Sequence, residues 1–145
     1  MYNVFDIAGY IVQYSNLRKI SVCNLKLQKL LYFVQAQFLV DFNEPCFDDE
    51  FEAWDTGPVI PSVYKKYRKY GVSHIPWFEE MGPDYRYCIA SSDRERIETV
   101  VDSCKDFSAT KLTEITLQQD PWKSAVIGRG ADSVISKSSI RNFFL

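Results

Sequence analysis

The segment between Asn24 and Phe42 constrains the fold more than any other part of the sequence. Its large apolar residues recur every three or four positions, a spacing that places them on one face of an α-helix. That face comprises Leu27, Leu30, Leu31, Val34, Phe38 and Phe42, and Phe33 and Leu39 widen it. Asn24 is a suitable N-cap, and Pro45 cannot continue a helix. Because so much of its surface is apolar, we expect this helix to be central and contacted from more than one side.

Helices are predicted on both sides of this segment. Near the N-terminus, the same helical spacing is shown by Val4, Ile7, Ala8, Ile11 and Val12. Further along the chain, Pro61 suits the first position of a helix, because its missing N–H would have no partner there. Gly71 is a suitable stop for that helix.

The second half of the chain contains further start and stop signals. Ser92 followed by Glu95 is a capping-box pattern, and Ser108 and Ser136 are also suitable N-caps. The Asp-Pro-Trp tripeptide at 120–122 is predicted to interrupt the chain before a loop around the Gly-Arg-Gly at 128–130. These signals indicate about five to six helices in all.

Two short segments have strand character. Residues 46–55 alternate in part between apolar and acidic side chains, and residues 85–90 alternate briefly. We therefore predict a mainly α fold, α+β at the margin, in which a compact bundle of about five to six helices carries a small two- or three-stranded β element near residues 46–55 and 85–90. Since no repeat or linker divides the chain, residues 1–145 are expected to form a single domain.

Charge and cysteine content restrict the function. The formal net charge of −2 gives no overall attraction to phosphates, so nucleic acid is disfavoured as a partner. The four cysteines form neither a CxxC pair nor a close pair with histidine, which predicts reduced, mostly buried thiols. No apolar run reaches the ~20 residues of a membrane helix, and the N-terminus does not resemble a secretion signal. We expect a cytoplasmic protein without a membrane partner.

The sequence contains no recognisable set of catalytic groups. His74 is the one histidine, which excludes a multi-histidine metal site. Pairing it with a cysteine would supply a base and a nucleophile, but an ordinary loop histidine is favoured. The acidic residues at 48–55 lack EF-hand spacing, and the glycines at 128–130 match no phosphate-binding fingerprint. We expect no enzyme activity, no metal and no cofactor.

Aromatic residues cluster where the acidic segment meets the following helix. Trp54 precedes a turn at Gly57 and Pro58, and Tyr64 and Tyr67 follow at helical spacing. Tryptophan and tyrosine are frequent both in cores and in the hot spots of protein interfaces. Core packing and contact with a partner therefore both stay open for these residues.

These residues carry a family resemblance. The segments LQKLLYFVQAQFL and FDDEFEAWDTGPVIPSVYKKYRKYG, the DPW at 120–122 and a terminal ISxxxIRNFF segment resemble the Panacea antitoxin domain family, which includes SocA-like and GepA-like phage-associated proteins. The resemblance extends over nearly the whole chain. Its most specific element is the ordered block EFEAWxxGPVxPxVYxxY, which runs here from Glu50 to Tyr67.

The resemblance implies a helical domain that neutralises a cognate toxin, encoded beside it, by direct protein contact. Some members of the family are similar to proteolytic adaptors that deliver the toxin to an ATP-dependent protease, which would then be a further partner. Two alternatives remain: a phage-encoded inhibitor of a host factor, which would use the same kind of surface, and an uncharacterised hydrolase.

The expected toxin-binding residues lie in the specific block of the resemblance. They are Glu50, Glu52, Trp54, Asp55, Gly57, Pro58, Tyr64 and Tyr67. We expect this surface to cover the active site or substrate channel of the toxin. Its carboxylates suit a toxin that binds RNA, nucleotide or ribosome through basic residues, since complementary charge speeds encounter and orients the partners.

Overall fold

The structure is a computed structural model that describes residues 1–145 apart from the side chain of Met81. Helices dominate it. In chain order the elements are α1 (Val4–Leu17), α2 (Asn24–Phe42), β1 (Phe51–Trp54), β2 (Gly57–Val59), α3 (Pro61–Tyr67), α4 (Ser91–Ser103), α5 (Ala109–Leu117), α6 (Asp120–Arg129), β3 (Val134–Ile135) and α7 (Lys137–Phe144). Short 3-10 helices occupy Arg68–Tyr70, Glu79–Met81 and Tyr85–Cys88. The predicted mainly α fold with a small β element is confirmed.

Helix α2 is the centre of the fold, as its apolar pattern predicts. It packs against α1, α3, α4, α5, α7 and β2. It begins one residue after Cys23, which holds the N-cap position predicted for Asn24, and Asn43 ends it in a left-handed conformation. Phe42 was expected to face the core but is 49% exposed. It lies in the last turn, where its ring packs against the guanidinium of Arg96, 4.5 Å from the ring centroid.

The small sheet is antiparallel, with strand order β2-β1-β3. Strands β1 and β2 form a hairpin in which Trp54 pairs with Gly57 across the turn. Strand β3 adds to the other edge of β1, with Phe51 opposite Ile135. The predicted strand character of residues 46–55 is thus confirmed for β1.

The strand predicted at 85–90 is wrong. Tyr85–Cys88 forms a 3-10 helix, because the Asp84 side chain accepts a hydrogen bond from the Arg86 backbone N–H and caps its start. The ring of Tyr85 lies against Gly9 of α1. This packing on a helix replaces the sheet pairing that the brief alternation suggested, and the third strand comes from Val134–Ile135 instead.

Three predictions for the second half of the chain also change. Residues 120–122 do not interrupt the chain but open α6, because Pro121 occupies the first turn, where its missing N–H costs nothing. The glycine-containing segment 128–130 is the end of that helix and not a loop. Helix α4 begins at Ser91 without a side-chain cap, so the predicted capping box is wrong. The N-caps predicted at Ser108 and Ser136 are confirmed.

The four cysteines are free thiols, of which Cys46 and Cys104 are buried, Cys23 is half-buried and Cys88 is exposed. In the part of the chain that the structure describes, no helix is both long and apolar enough to cross a membrane.

Candidate functional site

An accessible group of predicted binding residues surrounds the β1–β2 turn. The indole of Trp54, at the end of β1, packs edge-on against the ring of Tyr64 in α3, with 5.1 Å between the ring centroids. The indole Nε1 of Trp54 donates a hydrogen bond of 2.9 Å to Oε1 of Glu52. Asp55 is exposed in the turn itself. We call Glu52, Trp54, Asp55 and Tyr64 the hairpin patch.

The remaining predicted residues lie outside this accessible group. Gly57, Pro58 and Tyr67 are buried and do not contribute to the accessible surface. Glu50 is exposed, but its carboxylate forms an ion pair of 2.7 Å with Nζ of Lys137. Lys137 also donates a hydrogen bond of 2.8 Å to the Asp48 carbonyl oxygen, which ties α7 to the start of the hairpin.

The hairpin turn depends on a glycine at position 57. Gly57 has φ +93°, a conformation that residues with a Cβ rarely adopt. A Cβ at this position would lie 2.7 Å from Oγ1 of Thr116 and 2.8 Å from Cε of Lys29. The turn therefore approaches α2 and α5 more closely than any other residue type allows.

Buried polar side chains of α2 hold the hairpin and the start of α3 through main-chain atoms. Nζ of Lys29 donates to the Pro58 carbonyl oxygen at 3.0 Å. Oε1 of Gln28 accepts from the Ile60 backbone N–H at 2.9 Å. Nδ2 of Asn24 donates to the carbonyl oxygen of Tyr64 at 3.0 Å. Because polar groups this deep cost free energy unless they are paired, these bonds favour one position of the hairpin on α2.

Two further contacts secure the ends of the hairpin segment. The amide of Gln35 accepts from the Cys46 backbone N–H and donates to the Phe47 carbonyl oxygen, both at 2.8 Å. On the opposite side, the indole Nε1 of Trp122 in α6 donates to the Trp54 carbonyl oxygen at 2.8 Å. The main chain beneath the Trp54 side chain is thus anchored to α6 as well as to α2.

Lys29 is electrostatically unusual. Its side chain is fully buried (0% exposed), and it forms no ion pair with any carboxylate among the described residues. Burial lowers the pKa of its amine from 10.5 to about 7, and the nearby Cys23 thiol acts weakly in the opposite direction. Because charge is disfavoured in this environment, a large share of the amine is neutral near pH 7. The amine donates to Pro58 in either form.

The apolar periodicity of α2 does not reveal a buried polar face on the same helix. Five polar side chains of α2 form it, separated by four, one, three and three positions: Asn24, Gln28, Lys29, Tyr32 and Gln35. All five are buried, and the Tyr32 hydroxyl donates to Oε1 of Gln119 at 2.8 Å. A polar stripe at helical spacing inside a central helix is the signal that would have identified them.

A half-open groove of about 590 Å³ lies beside the hairpin patch. Tyr64 borders both. The other walls come from the turn residue Thr56, from Leu25 at the start of α2, from Arg68 and Val72 after α3, and from Ala109 at the start of α5. Val72 is 96% exposed at its rim. The groove is large enough to accept one or two apolar side chains of a partner next to the patch.

The ring of His74, the one histidine in the sequence, has a partner at each of its nitrogens. Nδ1 of His74 accepts from the Val22 backbone N–H at 2.8 Å, and its Nε2 lies 3.0 Å from Oδ1 of Asn16. Both ring nitrogens are therefore engaged in fixing a loop to α1 and to the link between α1 and α2. Across the same residues, no group of three or more His, Cys, Asp or Glu side chains could hold a metal ion.

Comparison with known proteins places the hairpin patch inside a matched region. The family model described as "Antitoxin SocA-like, Panacea domain" matches residues 27–123, about two thirds of the chain. The terminal ISxxxIRNFF segment lies outside this match.

Among curated proteins, the chain is similar to Antitoxin SocA of Caulobacter vibrioides (strain NA1000 / CB15N). The two are 48% identical over 56 residues, which cover 39% of this chain and 30% of the relative. The matched part is thus less than a third of that relative's length. No solved structure matches the chain significantly.

Proposed function

The chain belongs to the family of SocA-like antitoxins with a Panacea domain, and from this premise we propose that it neutralises a protein toxin by binding it through the hairpin patch. One observation supports the choice of this surface. Inside the matched region, Trp54 and Tyr64 form a half-buried aromatic pair next to carboxylates on a hairpin that several buried hydrogen bonds hold. Tryptophan and tyrosine anchors often contribute most of the binding energy in protein interfaces.

The way the hairpin is held supports binding without rearrangement. Its main chain is bonded to Lys29, Gln28 and Trp122 before any partner arrives. Ordering a loop on binding costs affinity, and a loop that is already ordered avoids that cost.

Charge and shape indicate the kind of toxin surface that fits. Of the carboxylates between residues 48 and 55, only Glu50 forms an ion pair with a described residue, so Asp55 and its neighbours are free to meet a cationic partner. The groove beside Tyr64 accepts apolar side chains. We propose a toxin whose basic nucleic-acid, nucleotide or ribosome site is covered by the patch, with an apolar side chain inserted in the groove.

The proposed mechanism is binding and not catalysis. The proposed location is the cytoplasm. The engagement of both His74 ring nitrogens in structural hydrogen bonds supports a non-enzymatic role. We further propose that the chain delivers the bound toxin to an ATP-dependent protease. The surface outside the hairpin patch is available for this second protein while the toxin is bound.

Co-expression with the protein encoded beside this chain tests the proposal. The test variant is Trp54→Ala with Asp55→Lys, which removes the aromatic anchor and reverses the charge of the patch. The matched control is Tyr87→Ala with Glu95→Lys, since Tyr87 is 88% exposed and Glu95 is exposed, both outside the patch. Thermal unfolding of each variant establishes that it is folded.

We expect the control to rescue growth and the test variant to fail. Full rescue by a folded test variant would show that the patch is the wrong surface. If the neighbouring protein is harmless when expressed alone, the antitoxin proposal itself is wrong and an inhibitor of a host factor is favoured. Toxin levels that fall on co-expression, in a protease-dependent way, would indicate delivery for degradation in addition to masking.

A further inference from the structure

The two ends of the groove beside the hairpin patch carry opposite charges. At the hairpin end, Asp55 is exposed in the β1–β2 turn, next to the wall residue Thr56. Arg68, also a wall residue, is exposed in the 3-10 helix that follows α3. Because α3 starts directly after β2, Arg68 lies one turn further from the hairpin than Tyr64, which contacts Trp54. The guanidinium therefore marks the end of the groove that is remote from the carboxylates.

The positive charge of Arg68 is not compensated within the groove. Among the described residues that form the walls, Arg68 is the one charged side chain. It forms no ion pair with any described carboxylate, and neither does Asp55. Just outside the α5 wall, Lys105 and Asp106 carry opposite charges and add no net charge. Both ends of the groove are therefore free to meet a charged group of a partner.

Two helices that begin at the groove add to the positive potential inside it. The wall residues include Asn24 and Leu25 at the start of α2, and Ala109 and Thr110 at the start of α5. The first turn of an α-helix carries a partial positive charge from its backbone N–H groups. This contribution has the same sign as that of Arg68.

Apolar surface lies between and beside the charged ends. Leu25 and Ala109 are half-buried in the walls, and Val72 is 96% exposed four positions after Arg68. A valine this exposed has few contacts within the chain, so covering it with an apolar group of a partner is favourable. The groove thus presents a carboxylate, an apolar space and a guanidinium to one bound segment.

We infer that the toxin segment bound in the groove has a fixed polarity: a basic side chain towards Asp55, an apolar side chain in the groove and an acidic side chain towards Arg68. This inference rests on the proposed toxin-binding function and adds the orientation of the bound segment to it. Complementary charges fix the orientation of partners, and an arginine can hold a carboxylate through two parallel hydrogen bonds.

A toxin surface that is only basic predicts the opposite behaviour of Arg68. Such a surface is repelled by the guanidinium, so replacing Arg68 by glutamate would tighten binding or leave it unchanged. If an acidic side chain of the toxin meets Arg68, the same substitution places two like charges together and weakens binding. The sign of the change therefore separates the two arrangements.

Titration calorimetry with the protein encoded beside this chain measures that sign. We expect Arg68→Glu to raise the Kd about tenfold or more. The matched control is Lys65→Glu, which makes the same change in net charge at an exposed position of α3 that does not line the groove. We expect it to change the Kd less than about threefold. Thermal unfolding establishes that both variants are folded.

Two further variants test polarity itself. Asp55→Arg with Arg68→Glu keeps the net charge of the chain and exchanges the charges of the two ends, so it should weaken binding at least as much as Arg68→Glu alone. In the toxin, acidic residues are replaced by lysine one at a time. One of these replacements should restore the affinity for Arg68→Glu, and the double-mutant cycle then identifies the carboxylate that meets Arg68.

Three results would overturn the inference and leave the toxin-binding proposal standing, provided that Trp54→Ala still abolishes binding. They are unchanged or tighter binding by folded Arg68→Glu, an equal loss in Lys65→Glu, and wild-type affinity in the charge-exchanged variant. A dimer of the chain alone that Val72→Arg dissociates would assign the groove to a second copy and would also overturn the inference. If the wild type does not bind the neighbouring protein at all, the proposed function and this inference fail together.

Discussion

Replacing Lys29 by methionine tests the electrostatic part of the account most sharply. Methionine is similar in length and apolar, so it fills the same space without a titratable group. In the folded protein the buried amine has a pKa of about 7, against 10.5 for an exposed lysine. Between these values the unfolded chain binds more protons than the folded one, so this residue makes stability rise with pH. Below about pH 7 both states are protonated and its contribution no longer changes.

The size of the effect follows from the two pKa values. Each unit of pKa difference corresponds to about 1.4 kcal/mol. At pH 7 the folded amine is about half protonated. From pH 7 to pH 9, the contribution of Lys29 to the free energy of unfolding therefore rises by about 2 kcal/mol. The methionine variant lacks this gain.

Urea unfolding of both proteins at pH 7, 8 and 9 measures it. The comparison between wild type and variant cancels the groups that the two share, including the Cys104 thiol, whose pKa burial raises. Across this range, we expect the free energy of unfolding of the wild type to rise by about 2 kcal/mol relative to that of the Lys29→Met protein. Lys65→Met, at an exposed position of α3, should leave the pH dependence unchanged. An identical pH dependence in wild type and Lys29→Met would refute the reasoning, because it would mean that the buried amine keeps its charge.

Two further substitutions test how the hairpin is held. Gly57→Ala would place a Cβ on a left-handed backbone, 2.7 and 2.8 Å from Thr116 and Lys29. Thermal unfolding should therefore show a loss of about 2–5 kcal/mol in the free energy of unfolding. A loss below about 0.5 kcal/mol would contradict the close approach. Trp122→Phe removes the donor to the Trp54 carbonyl oxygen and part of the ring packing, so we expect a loss of about 1–3 kcal/mol in the free energy of unfolding and faster amide exchange in β1 than in α1. Unchanged exchange in β1 would contradict this anchoring role.

The fold follows from local signals where those signals are long or chemically specific. The apolar periodicity of α2 persists over many residues, and the serine caps at 108 and 136 act through neighbours in the chain. The strand predicted from the brief alternation at 85–90 is wrong because two contacts set the conformation of that segment. One is the Asp84 cap, and the other is the packing of Tyr85 on Gly9, which is a tertiary contact. Residues 120–122 show that a proline after an aspartate marks the start of a helix as readily as its interruption.

The structure divides the residues predicted for the candidate site between surface and core. From the sequence, core packing and contact with a partner both stay open for Trp54 and Tyr64, and the structure leaves both side chains half-buried. Tyr67 lies one turn further along the same helix and is buried, because the orientation of α3 against α1 decides which tyrosine faces solvent. The contacts of Lys29 and Gln28 could not be predicted from local sequence, because their partners, Pro58 and Ile60, are about thirty positions away in the chain.

The affinity of the purified chain for the protein encoded beside it tests the central claim, that the hairpin patch binds the toxin, most directly. Titration calorimetry compares wild type, Trp54→Ala and the exposed-aromatic control Tyr87→Ala. Loss of a hot-spot tryptophan costs about 2 kcal/mol or more, so Trp54→Ala is expected to raise the Kd roughly thirtyfold, and Tyr87→Ala to leave it unchanged. A Trp54→Ala protein that is folded and binds with the affinity of the wild type would contradict the account.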